Sequence, residues 1–168
     1  MLTYHPAYDA NHCAYRQLLL LENIPSKKID WNLLKILDFY LLFPSLLKQL
    51  SLPAEYRGVR KYLKEIAAAY ETISNPTRLM FELNNIQLAG LSSLIAKNLI
   101  SKEDFADELI SRTEMPIPIE LQNKILNDAI AKTGWFIFLT HEFPKIDYYG
   151  PKGLKARTGL MEFRYDIS

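Results

Sequence analysis

Four side chains near the start of the chain, His5, Asp9, His12 and Cys13, are of types that bind divalent metals. A zinc site needs three or four such groups to converge, and the spacing works against that. His12 and Cys13 are neighbours that diverge on a helix, no second cysteine exists, and His141 lies far off in the sequence. They read as capping, packing and surface residues, and no metal is expected. Cys13 with His141 has the composition of a thiol nucleophile and its base. Cys13, however, falls on the inward face of the helix expected from Ala10, where a small buried thiol is the commoner use. His141 and Glu142 follow an apolar run, as catalytic groups often do in α/β enzymes, and they carry the reading of a small enzyme. Against it, the sequence holds no Gly-rich phosphate loop, no HExxH and no GxSxG. No catalytic residue, cofactor or small-molecule substrate is expected.

Charge and aromatic groups offer a different chemistry. Arg57, Arg60, Lys61 and Lys64 fall on one side of an expected helix, where a phosphate backbone would attract them, so they are candidate DNA contacts. The structural alternative is the solvated side of an amphipathic helix. A second group, Lys145, Lys152, Lys155 and Arg157, is offset by Glu142 and Asp147 and lies beside Tyr148 and Tyr149. Tyrosine and arginine are enriched at protein interfaces. Tyr148, Tyr149, Lys155 and Arg157, together with Tyr4 and Tyr8 of the aromatic N-terminal arm, are therefore candidate partner-interface residues.

The elements that must position these groups are mostly helical. Asp9 can cap a helix over 10–22 with Cys13, Ala14, Leu18 and Leu21 inward and Gln17 at the edge of that face. The centre is Ile29 to Leu50, where Trp31 to Phe43 is apolar around most of a helix except for a band of Asn32, Lys35 and Asp38. Asp30 caps this helix and Pro44 ends it. Tyr56, Val59, Leu63, Ile66, Tyr70 and Ile73 are spaced alternately by three and four and predict one helix over 55–73, with Gly58 weakening its first turn. One or two helices follow over 77–98, with Gly90 as a break and Asn98 as a left-handed cap. Ser101 caps a short helix to Ile110, and Pro118 opens another that reaches about Thr133, with Gly134 as its stop. Trp135 to Thr140 reads as a buried strand and Met161 to Ile167 as a half-buried one. Between them, Pro144, Gly150, Pro151, Gly153 and Gly159 punctuate the best candidate for a functional loop.

The predicted fold is thus mainly α, with a small C-terminal β element. It is divided either into a helical domain over 1–133 and a β-containing appendage over 134–168, or into no parts at all. Leu88 to Ser101, LAGLSSLIAKNLIS, resembles the recognition helix and following strand of a winged helix, although no two-stranded wing is evident after it. At 168 residues, the chain can bury roughly 70% of its unfolded surface without disulfides. A net charge of +1 excludes a surface built entirely for nucleic acid. A single cysteine, no basic n-region with an apolar run, and no uninterrupted span-length segment lead us to expect a cytoplasmic protein off the membrane.

Three phrases, YHPAYDANHCAYRQLLLL, ILDFYLLFPSLL and GPKGLKARTGLMEFRYDI, lie at the beginning, middle and end. They resemble the small middle component of bacterial ABC-three-component systems, the class that includes Lamassu-type defence operons. That resemblance implies a non-catalytic adaptor subunit, winged-helix-like in part. It would bridge an SMC-like ABC ATPase and a nuclease-type effector and couple DNA sensing to defence against phage or plasmids, with at most weak DNA contact of its own. The alternative reading is a free-standing winged-helix regulator that binds DNA as a dimer, through the basic helix or Ser92 to Lys97.

Overall fold

The computed structural model describes residues 6–162, and its organisation follows from three helices that must bury wide apolar faces against one another. Helix α1 (Ala10–Asn23) starts at Asp9, whose carboxylate accepts from the amides of Asn11 and His12 at 2.8 and 3.1 Å. Helix α2 (Trp31–Leu42) starts at Asp30, which accepts from the Asn32 amide. It buries Trp31, Leu34, Ile36, Leu37, Phe39, Tyr40 and Leu41 before Pro44 turns the chain into a 3-10 segment, Pro44–Gln49. Each fully buried Leu or Phe of this set contributes about 1.5–3 kcal/mol. α2 is the centre of the molecule, as its composition requires.

β1 (Lys28–Asp30) leads into α2, but between the 3-10 segment Pro44–Gln49 and α4 (Pro76–Ala96) the chain departs from expectation. The predicted helix over 55–73 forms only as a 3-10 turn, Ala54–Val59, and one α turn, α3 (Arg60–Leu63). The stripe is used in part: Leu63 and Ile66 are buried, Tyr56, Val59 and Ile73 half-buried, and Tyr70 stands in solvent. Helical spacing is necessary for a helix but does not create one, because most helical stability comes from packing of the apolar face.

Helix α4 is single and unbroken. Gly90 does not interrupt it but lets it approach α1: a Cβ there would lie 3.1 Å from the Ala14 amide nitrogen and 3.3 Å from the Ala10 carbonyl oxygen. Asn98 takes the left-handed conformation (φ 60°). The amides of Asn98 and Leu99 bond back to Ile95 and Leu94, closing a Schellman-type end.

The small sheet lies elsewhere than predicted. β1 pairs antiparallel with β2 (Leu109–Ser111), in register Lys28↔Ser111, Ile29↔Ile110 and Asp30↔Leu109, and Ile100 bridges Arg112 on the other side of β2. Ser101 caps α5 (Lys102–Phe105) as expected, but that helix stops well before Ile110, which belongs to the sheet. Along the chain from α1, the elements to this point run α1, β1, α2, two 3-10 segments, α3, α4, α5 and β2, and α5 stands between the bridge at Ile100 and β2. Asp104 clasps the sheet by accepting from the Ser111 hydroxyl at 2.5 Å and pairing with Lys28 at 3.0 Å. These bonds hold its carboxyl below the usual carboxylate range.

Two further expectations fail after residue 118. The long helix ends early, as α6 (Ile119–Leu126), because Asp128 caps a separate turn, Ala129–Lys132, and is held by the Tyr15 hydroxyl at 2.7 Å. Gly134 then begins a helix instead of ending one: α7 (Gly134–Ile137) is capped by Thr133 and continues into a π turn, Phe138–Glu142. Trp135 to Thr140 is therefore not a strand. Trp135, Phe136, Phe138 and Leu139 are buried, and a short run that is apolar all round fits a buried helix as well as a strand. Of the second expected strand, Phe163 to Ile167 lie outside the described residues.

Candidate functional site

The loop that follows α7 is ordered by its own backbone. Leu154 N–H donates to Asp147 O at 2.8 Å, Lys155 N–H to Tyr148 O at 3.0 Å and Gly153 N–H to Gly150 O at 3.1 Å. Only glycine fits at 153, where a Cβ would fall 2.2 Å from the Tyr149 carbonyl oxygen, and Gly150 takes φ +91°. Helix α8 (Leu154–Thr158) begins with Leu154 buried in the core and ends on Gly159 in the left-handed conformation. Arg157 ties the loop shut, since its Nε donates to Lys152 O at 2.5 Å and its Nη1 to Ser51 O at 2.7 Å.

This framework presents Tyr149, 72% exposed, edge-on against the half-buried Tyr148 with ring centroids 4.8 Å apart. Burial, and then the neighbouring Tyr149, push the Tyr148 hydroxyl up from its ordinary value, so Tyr148 is a neutral hydrogen-bonding group. An open cleft of about 430 Å³ separates the loop from Pro53 and Glu55, with Lys145, Lys152 and Arg157 around it. Lys155 is exposed on α8. A rigid aromatic tip beside the tethered Arg157 loses little entropy on binding, which favours a protein docking site.

The structure does not keep the first basic group in one line. Arg60 gives its guanidinium to the carbonyls of Lys48 and Leu50, at 3.2 and 3.0 Å, and Lys61 lies 4.8 Å from the Tyr62 ring centroid. Arg57 and Lys64 are exposed. What the fold does instead is anchor both basic groups on one short segment, Arg60 on Lys48 and Leu50, Arg157 on Ser51. Nothing in the sequence signals this. Tyr8 lies on a 3-10 turn, Pro6–Tyr8, that packs on α1 and α4, and Tyr4 falls outside the described residues. The outer face of α4, which a DNA-reading winged helix would use, shows Phe81, Glu82, Asn84, Asn85 and Leu88, and its Arg78 pairs with Glu82 at 3.0 Å. From Arg78 to Leu88 that face is mixed in polarity and its single cation is paired, so a phosphate backbone gains little there, while Lys97, at the end of Ser92 to Lys97, is exposed.

A cluster missed by sequence reasoning lies where α1, α2 and α4 meet. Asp38, 1% exposed, accepts from Arg16 Nε at 2.6 Å, Arg16 Nη2 at 3.3 Å and Gln87 Nε2 at 3.1 Å. Gln17 is buried too and donates to the Gln87 carbonyl at 2.9 Å. Burial opposes the Arg16 charge, but the Asp38 carboxylate more than restores it, and Arg16 titrates above its ordinary value. Burial, and then the Asp38 charge, push the Cys13 thiol far up, so it stays protonated and unreactive. The sequence signals were weak: Asp38 reads as part of the polar band of α2, and Gln17 as the edge of the inward face of α1.

His141 is exposed on the π turn, with Nδ1 2.9 Å from the Thr140 hydroxyl, and Glu142 pairs with Lys145 at 3.3 Å. The strand end that suggested catalysis is absent. Among the described residues, no three His, Cys, Asp or Glu side chains are grouped to hold a metal, and no helix is long and apolar enough to cross a membrane.

Compared with family models, the sequence matches that of the ABC-three component system middle component 5 over residues 2–166. No curated protein and no solved structure matches it.

Proposed function

The chain belongs to the ABC-three component system middle component 5 family, and from that premise we propose that it is a non-catalytic, cytoplasmic adaptor in a Lamassu-type defence complex. It joins an SMC-like ABC ATPase to a nuclease-type effector, and the assembled complex senses phage or plasmid DNA. The other components of the system are its partners. The observation that carries this reading is the self-bonded loop with Tyr149 at its tip and Lys145, Lys152, Lys155 and Arg157 around it. Such a surface suits a protein partner: a large exposed aromatic on a rigid mount, beside Arg157, whose guanidinium is already held by the Lys152 and Ser51 carbonyls. The outer face of α4, whose single cation from Arg78 to Leu88 is paired, supports an adaptor over an operator-binding regulator, and the inert Cys13 supports a subunit without chemistry.

Co-purification of this chain with the ATPase encoded beside it tests the reading. The wild-type chain is expected to form a complex. The double variant Tyr149→Ala, Lys155→Glu should weaken it at least thirtyfold, the scale of a lost hot spot of about 2 kcal/mol, while thermal stability stays within about 0.5 kcal/mol. A variant that is folded and binds with wild-type affinity removes this loop as the docking site. A wild-type chain that stays free of the ATPase ends the adaptor reading.

A further inference from the structure

Positive charge is unevenly placed along this nearly neutral chain. Residues 48–65 and 142–157 hold nine of the twenty Lys and Arg side chains but four of the nineteen Asp and Glu, so the remainder is net negative. The fold sets those two stretches side by side. Arg60 Nη2 donates to the Leu50 carbonyl at 3.0 Å, and Arg157 Nη1 to the Ser51 carbonyl at 2.7 Å. These carbonyls belong to consecutive residues, so the two guanidiniums stand no more than about 11 Å apart. Each spends two N–H groups on backbone carbonyls and keeps three for a ligand.

Local geometry extends this pair into a band. The 3-10 turn Ala54–Val59 closes with the Arg60 amide on Arg57 O, and residues three apart in such a turn eclipse, so Arg57 and Arg60 share a side. The α turn then bonds the Lys64 amide to Arg60 O and places Lys64 on that side as well. Lys61 lies instead over the Tyr62 ring. Lys152 stands with Arg157 on the cleft that faces Pro53 and Glu55. Arg57, Lys64 and Lys152 are exposed. The carboxylates of the two stretches are Glu55, Glu65, Asp147 and Glu142, the last paired with Lys145, and they are too few to cancel the cations.

We propose that Arg57, Arg60, Lys64, Lys152 and Arg157 form one site for the phosphate backbone of double-stranded DNA, bound without sequence preference. A duplex presents a rigid array, one phosphate per about 1.7 Å of axis, and two of these cations are already fixed in place, so contact costs little freedom on either side. Single strands call for a row of exposed ring faces, whereas here Tyr62 lies against Gly134 and Tyr149 is edge-on to Tyr148. Tyr149 and Lys155 are left to the protein partner, and the DNA site does not depend on that partner.

The test uses the full chain without the ATPase, so its failure and that of the adaptor reading are separate results. A fluorescently labelled duplex is titrated by anisotropy over a series of salt concentrations. The wild-type affinity should fall with salt on a log–log slope of about −4, as for five phosphate contacts. Arg57→Glu with Lys64→Glu, and Lys152→Glu by itself, should each weaken binding at least fivefold and flatten the slope by about 1 for each cation removed. Lys97→Glu, at the end of α4, should change neither. If a reversed variant does not fold by circular dichroism, its Gln counterpart carries the same expectation of weaker, less salt-sensitive binding. A wild-type chain that leaves the duplex unbound overturns the proposal. So does a loss confined to one of the two folded variants, which separates the groups, or an equal loss in Lys97→Glu. Tighter binding to labelled polyglutamate or to single-stranded DNA than to the duplex also overturns it, in favour of an acidic protein segment or an unpaired strand.

Discussion

At the scale of single residues, Asp38 and Arg16 carry the largest local stake. Their pair lies under three helices, so removing one partner strands a charge where water cannot reach it. Asp38→Ala should destabilise the chain by about 3–5 kcal/mol, read as a lower urea midpoint with an unchanged slope, whereas Arg16→Met with Asp38→Leu should cost far less or nothing. The Oε1 atoms of Gln17 and Gln87 are buried without a partner, each forgoing about 1–3 kcal/mol. Of this cluster the sequence showed Asp38 as part of a polar band and Gln17 at a face edge. It could not show that the band faces α1 instead of water, because that depends on how α2 is rotated against residues far away in the chain.

At the scale of elements, the reliable signals were those settled within one turn. Asp9, Asp30, Asn98 and Ser101 cap or end helices where expected, since a cap bonds only to its immediate neighbours. Periodicity was a poorer guide. The regular stripe over 55–73 yields one α turn, and the β-rich run after Gly134 is helical. Gly90 shows the same division, since it reads as a break and serves as the crossing point of α1 and α4. A side chain there gains up to about 1 kcal/mol of helix propensity but meets α1 backbone. Gly90→Ala should therefore be net destabilising by about 1 kcal/mol and Gly90→Leu by about 3 kcal/mol, measured by denaturant titration, because two packed helices cannot both stay in place around added atoms.

At the scale of the whole molecule, residues beyond 133 are part of the core and do more than decorate it. Phe136, Leu139, Phe143, Leu154 and Leu160 pack in the same cluster as Leu34, Ile36 and Leu37 of α2, and Tyr40 meets Phe143 edge-on at 5.9 Å. A chain truncated after Thr133 should fail to fold, as judged by amide dispersion in its NMR spectrum, and the full chain should unfold in one transition by both fluorescence and circular dichroism. A truncated chain with a native-like spectrum would show that 1–133 stands alone. The proposed docking loop depends on the same arrangement, for Leu154 and Arg157 fasten it to the core and to Ser51.

The sequence alone determined the helical class, the central role of α2, most helix starts and the family, because composition, capping and characteristic phrases are properties of neighbouring residues. It also located the loop that displays Tyr149, since glycine and proline mark a turn wherever they stand. Only the tertiary structure decided where the sheet forms, that Asp38 is buried, that Arg60 and Arg157 are fastened to one segment, and that α3 ends after one turn. Each of those depends on groups tens of residues apart competing for one carbonyl, one carboxylate or one patch of buried surface, and the fold settles that competition as a whole.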